Sequence, residues 1–141
     1  MGKDYIFSYG IRNYKDGFVI SYVIWHNRAV YYHNADYYAD ITSPRAVLQG
    51  VKMALIHVPD NSSVILITTS EYAIFALKSY NKIKENAKNK DLLQSIHTRL
   101  SAMKQFDHTN KNAYKAKQIT QTLISNYILE LEEGEYLGSK V

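Results

Sequence analysis

Apolar residues follow two rhythms along this chain, and the change from one to the other marks out its elements. Residues 5–9 (Tyr-Ile-Phe-Ser-Tyr) are rich in aromatic and β-branched types and predict a first strand. Residues 17–25 (Gly-Phe-Val-Ile-Ser-Tyr-Val-Ile-Trp) predict a second, apolar on both alternating faces, as in a strand covered from two sides. His26-Asn27-Arg28 predicts a tight turn into a third strand over 29–34, with 35–41 as a loop or short strand. The rhythm then turns helical. Ser43 as N-cap and Pro44 at the first helical position predict a helix start. Val47, Leu48, Val51, Ala54, Leu55 and Val58 recur at the spacing of one buried helix face. After the breaker Pro59-Asp60-Asn61, the apolar run 64–68 predicts a buried parallel strand, which requires a crossover and a mixed sheet.

Ser70 predicts the cap of a second helix through about residue 80, packed by Ile74, Phe75 and Leu77. Beyond the lysine-rich stretch 78–90, Leu92, Leu93, Ile96, Leu100 and Met103 share one face of a third helix. A last helix starts near Asn112, with Ala116, Ile119, Leu123, Tyr127 and Leu131 along one side. Glu130, Glu132 and Glu133 stand where the helix dipole disfavours them. They predict a frayed or partner-bound tail ending at Gly134, and residues 128–141 read as an interaction tail. No repeat or flexible linker interrupts the pattern, so 1–141 reads as a single α/β domain.

At 141 residues the chain can bury a substantial core, and 46% hydrophobic against 21% charged is a globular balance. It has no cysteine, which excludes disulfides and thiolate chemistry and fits a reducing compartment. No apolar run approaches the roughly 20 residues of a membrane span, and the start lacks the apolar stretch of a signal peptide. The expectation is an intracellular protein, cytoplasmic or nuclear, with no membrane partner. The net charge of +4 is unevenly distributed. Residues 1–77 balance at zero, residues 78–117 carry +7, and residues 118–141 carry −3. One basic block of that kind is an electrostatic footprint for a polyanion, or simply a solvated lysine-rich surface.

Three segments, Tyr5-Ile6-Phe7-Ser8-Tyr9-Gly10, Pro44-Arg45-Ala46-Val47-Leu48 and Val64-Ile65-Leu66-Ile67-Thr68-Thr69-Ser70-Glu71-Tyr72, resemble the catalytic segments of ribonuclease H. Asn89-Lys90-Asp91-Leu92-Leu93-Gln94 is similar to the family's entry into a later helix, and His108 with Asn112 and Ala116 faintly echoes its final motif. The resemblance covers residues 5 to about 100 and fades beyond. It implies a ribonuclease H-like fold, a mixed central sheet in βββαβ order flanked by helices. The fifth strand is expected to be short or lost within 101–107.

In that family each catalytic segment carries a metal-binding carboxylate. On this alignment the four positions hold Tyr9, Val47, Thr69 and Ala116. Two-metal phosphodiester hydrolysis needs converging carboxylates that hold ions about 4 Å apart. Tyrosine and threonine are weak neutral ligands for such hard cations, and valine and alanine offer no donor. Glu71 lies two positions from Thr69, but one carboxylate does not hold two metals. The expectation is a chain with no catalytic activity, metal or cofactor. Histidines 26, 33, 57, 97 and 108 have no zinc-like spacing and read as surface or turn residues. Ser8 and Ser70 lack a Gly-x-Ser-x-Gly elbow, and Trp25 with most strand tyrosines reads as packing.

Two functions follow as expectations. A basic protrusion after the second helix grips nucleic acid in the family, and Lys78, Lys82, Lys84, Lys88 and Lys90, with Tyr80 among them, occupy that region here. Arg99, Lys104, Lys111, Lys115 and Lys117 are secondary candidates. Such cations neutralise phosphates without reading sequence, which suits duplex RNA or an RNA–DNA hybrid backbone. The alternative is a structural or protein-interaction domain, possible as a homodimer or within a larger replication, transcription or RNA-processing assembly. There an emptied cleft or the acidic tail would supply the contact. A third reading, another reaction on the same scaffold, finds no paired carboxylates at recognisable spacing.

Overall fold

Both faces of the strand Gly17–His26 (β2) are covered, for every residue from Gly17 to Ile24 is buried. The computed structural model describes residues 4–78 and 88–139, with side chains described through residue 134. It sets β2 beside Asp4–Tyr14 (β1) and Ala29–Ala39 (β3), with Ser63–Ile67 (β4) and Gln105–Thr109 (β5) completing a five-stranded sheet in the order β3-β2-β1-β4-β5. The β1–β2 and β2–β3 pairs are antiparallel, whereas β4 pairs parallel with β1 and with β5. Helices Ser43–Ile56 (α1), Glu71–Lys78 (α2), Lys90–Ser101 (α3) and Ala113–Ser139 (α4) flank this mixed sheet. The architecture is α/β.

Alternation along β1 sorts the helices into two layers. Phe7 and its β2 partner Ile24 lie in the main apolar cluster with Leu48, Val51 and Leu55 of α1, Ala73 and Ala76 of α2, and Leu92 and Ile96 of α3. Gly10 and its partner Ser21 point the other way, to Thr120 of α4. One seat is apolar and the other mixes buried Ala116 and Ile124 with polar contacts. Ser21 Oγ donates to the Thr120 carbonyl at 2.8 Å, and Arg12 donates to Gln121 Oε1 (2.9 Å) and Ser125 Oγ (3.0 Å).

Several expected boundaries move. β1 continues past Tyr9 to Tyr14 because its main chain pairs with β2 throughout, and the turn falls at Lys15, with φ 52°. β3 likewise runs to Ala39, and the expected turn before it is present, with Asn27 and Arg28 both at positive φ. Thr42, not Ser43, caps α1, its hydroxyl accepting from Arg45 N–H at 3.3 Å. Ser70 does cap α2, accepting from Ala73 N–H at 3.2 Å. The buried face of α2 is Ala73, Ala76 and Leu77, while Phe75 stays exposed and Ile74 half-buried. Small alanines bring that short helix close to the core. The expected end of α2 near residue 80 lies outside the described residues.

The fifth strand is present rather than lost. It is short, spans Gln105–Thr109, and contains His108 instead of preceding it. Its pairing with β4 is main-chain, prolonged by Lys104 N–H to Ser62 O (3.0 Å) and Thr68 N–H to Thr109 O (2.9 Å). On α4 the face against the sheet is Ala116, Thr120 and Ile124, not the expected line through Ile119 and Leu123; Ile119 is 41% exposed. The α4 backbone also stays helical through Gly134. No helix among the described residues is long and apolar enough to cross a membrane.

Candidate functional site

Parallel pairing places the C-terminal ends of β1, β4 and β5 at one end of the sheet. α1, α2 and α4 each begin at that end, directly after a strand. α3 begins there too, because Arg45 in the first turn of α1 holds Asp91 in the first turn of α3. Four helix N-termini thus share one end, each with partial positive charge from its unpaired N–H groups. Among them opens a cleft of about 510 Å³. β1 contributes Ser8, Tyr9 and Gly10, α1 contributes Val47, and the β4–α2 corner contributes Thr68, Thr69 and Ser70. From α4 come Ala113, Tyr114, Lys117 and Thr120.

Three of the four positions singled out by the resemblance, Tyr9, Val47 and Thr69, meet in one cleft. Ala116 does not join them. It is buried and faces a neighbouring groove of about 320 Å³ with Ile6, Trp25 and Lys115. Ala113, nearly one turn earlier, takes the cleft position, because α4 begins at residue 113 and its cleft-facing positions run 113, 114, 117 and 120. A motif count along the sequence could not supply that helical phase.

The Tyr9 ring fills part of the space by lying over Gly50 of α1. A Cβ on Gly50 would stand 3.0 Å from Tyr9 Cβ and 3.2 Å from its ring. The Tyr9 hydroxyl sits 3.4 Å from Thr68 Oγ1, which accepts Ser70 N–H at 3.0 Å. Ser8 Oγ donates to Ile67 O at 2.9 Å. The polar groups lining the cleft are hydroxyls, the Gln121 carboxamide, engaged with Arg12 and Ile11 O, and the ammonium of Lys117, with no carboxylate among the described lining residues. Glu71 lies exposed in the first turn of α2, outside the lining. This donor set does not fit a pair of divalent ions, which need anionic oxygen ligands. No group of three or more His, Cys, Asp or Glu gathers elsewhere among the described residues.

The expected basic residues divide. Lys88 and Lys90 stand at the start of α3, and Lys111, Lys115 and Lys117 around the start of α4, all at the cleft end. Lys78 closes α2, and Lys104 precedes β5 at the opposite end of the sheet. Lys82, Lys84 and Tyr80 lie outside the described residues.

Arg99 is committed to the fold. It donates from Nε to Leu55 O at 3.2 Å, from Nη2 to Val58 O at 2.6 Å, and from Nη1 to Asp60 Oδ1 at 2.8 Å. One guanidinium thereby ties the last turn of α3 to the end of α1 and the segment that follows it. Arg99→Ala is expected to cost about 2 kcal/mol of stability and to leave oligonucleotide affinity unchanged. Unfolding in urea and a binding titration on the same variant check both halves.

Arg45 Nη1 and Nη2 donate to the two Asp91 oxygens at 3.0 and 2.7 Å. These bonds hold the Asp91 carboxyl down at about 2. Because the folded value is depressed, the stabilisation is present above the unfolded value of about 4. It is lost as pH falls through about 2. Both side chains are substantially exposed, so solvent screening limits the contribution to about 0.5 kcal/mol. Asp91→Asn should flatten the acid limb of the stability curve by that amount; an unaltered limb would contradict it.

Two of the five histidines serve packing at the periphery: His26 stacks on Tyr5 at 4.3 Å between ring centres, and His57 on Tyr32 at 4.1 Å. His97 departs from the expected surface role, for it is buried in α3 and burial lowers its pKa. No protein-family model matches the chain, and no curated protein matches it either.

Proposed function

We propose that this chain is a non-catalytic, ribonuclease H-like module that binds the backbone of nucleic acid, duplex RNA or an RNA–DNA hybrid. The strand order, with one antiparallel β2 and helices on both faces, supports the fold half of that reading. The cleft chemistry supports the non-catalytic half, since hydroxyls and an ammonium stand where metal-binding carboxylates are needed. The observation that carries the binding half is the gathering of Lys88, Lys90, Lys111, Lys115 and Lys117 at the end where four helices begin. Side-chain cations and helix N-termini there act in the same sense on a polyanion. Glu71 and Asp91 are the opposing charges in the first turns, and Arg45 already neutralises Asp91. Lys78, Lys82 and Lys84 belong to the same basic stretch of the sequence.

Fluorescence anisotropy with a labelled hybrid tests this. If the lysines neutralise about five phosphates, affinity falls with salt on a log–log slope of about −4.5. Exchanging Lys88, Lys90 and Lys111 together for glutamate is expected to weaken binding at least about ten-fold. The hybrid should remain uncut in magnesium. Absent binding at low salt would sink the proposal and favour the protein-interaction reading, for which the exposed edge strand β3, with Val30, Tyr31 and Tyr32, is the relevant observation.

A further inference from the structure

The cleft itself has a chemistry that the surface lysines do not explain. Lys117 is the only charged side chain among its described lining residues, it is exposed, and it enters no ion pair among the described residues. Tyr9, Thr69 and Ser70 contribute hydroxyl-bearing side chains to the same lining. Thr69 is exposed on the corner between β4 and α2, whereas Thr68 and Ser70 are tied into that corner by hydrogen bonds. Tyr114, 75% exposed, flanks the opening with a free aromatic face. A lone ammonium beside neutral donors, with no carboxylate to oppose it, attracts a tetrahedral oxyanion and repels a divalent cation.

We infer that the cleft seats one backbone phosphate of the bound strand by direct contact with Lys117 and the Thr69 hydroxyl, without a bridging divalent ion. This rests on the nucleic-acid reading above and adds the place and chemistry of the central contact. Tyr9 makes the seat shallow. Its ring packs over Gly50 and its hydroxyl lies 3.4 Å from Thr68 Oγ1, so Tyr9 takes up space in the cleft and leaves Lys117 and Thr69, both exposed, to hold the phosphate. Tyr114 then lies where an adjoining sugar or base can pack on its ring.

The test is a titration of a short labelled hybrid into the full chain, once in EDTA and once in magnesium. Direct seating predicts affinity in EDTA at least equal to that in magnesium. Lys117→Ala should lower affinity about ten-fold, the loss of a charge-assisted hydrogen bond, with Lys117→Arg retaining most of it. Tyr9→Asp should weaken binding in EDTA and recover it in magnesium, because a carboxylate beside the seat repels phosphate until a cation covers it. Thermal melting of each variant shows whether it is folded. Inorganic phosphate and a mononucleotide as competitors separate a seat for any phosphate from one that needs the strand. Wild-type binding that collapses in EDTA would overturn the inference, as would an unaltered Lys117→Ala alongside a weakened Lys88, Lys90, Lys111 variant. That second outcome leaves the broader proposal standing, whereas a wild-type chain that binds nothing removes both.

Discussion

Phe7→Ala is expected to lower stability by about 4 kcal/mol, the range for removing a fully buried aromatic side chain. Phe7 is wholly inaccessible and pairs across β1 with Ile24 on one side and Leu66 on the other, both equally buried. α1, α2 and α3 all contribute residues to the cluster around it. A ring in that position has no exposed flank through which the surroundings can collapse, so the cavity persists and the loss stays near the top of the range. A domain of this size has about 5–15 kcal/mol in total, and the melting temperature should fall by about 12 °C. Urea unfolding measures it, with the midpoint shifting and the slope unchanged. A loss below about 1.5 kcal/mol would mean that the three helices do not converge on this ring.

Gly10→Val, three residues along the same strand and on the opposite face, is expected to cost about 3 kcal/mol for a different reason. A Cβ there would stand 2.7 Å from Thr120 Oγ1, 2.8 Å from Thr120 Cβ and 3.1 Å from Ser21 Oγ. Nothing in that contact is the flexible end of a long side chain, so α4 must move off the sheet. The Ser21 bond to the Thr120 carbonyl is then lost with it. Gly10→Ala should cost less, and Thr120→Ala should restore part of that cost by removing the nearest atom, a coupling of about 1 kcal/mol in a double-mutant cycle. Purely additive effects would show that the two residues do not touch. Because Gly10 and Thr120 both line the cleft, the valine variant should also lose oligonucleotide affinity.

What could be read from the residues alone depended on which force holds each element. β2, α1 and β4 are held by apolar burial, and their rhythm is visible in the residue types. β5 is held by main-chain hydrogen bonds at a sheet edge, so Gln105-Phe106-Asp107-His108-Thr109 carries no such rhythm. α4 escaped in phase for a related reason. Its inward residue is Thr120, a polar side chain admitted because Gly10 leaves room and Ser21 binds its carbonyl, and an apolar count selects Ile119 instead. Ala116, reached by counting from Asn112 in the motif, lies on the buried face of α4 beside the neighbouring groove and does not line the cleft. Val47 and Thr69 were legible because each follows a helix start or a strand end with clear punctuation, whereas Tyr9 lies within β1, on a strand read from its apolar rhythm. Arg99 was not, since a cation in a basic block gives no sign that three oxygens of its own fold already claim it.

The two margins of the sheet are unequal. β5 offers five residues, among them Asp107, whereas β3 offers eleven, with four tyrosines and no proline or lysine to blunt it. A sheet extends by main-chain pairing at such a margin. Two copies pairing along β3 would meet through the same surface on each, an isologous contact that closes as a pair instead of continuing into a filament.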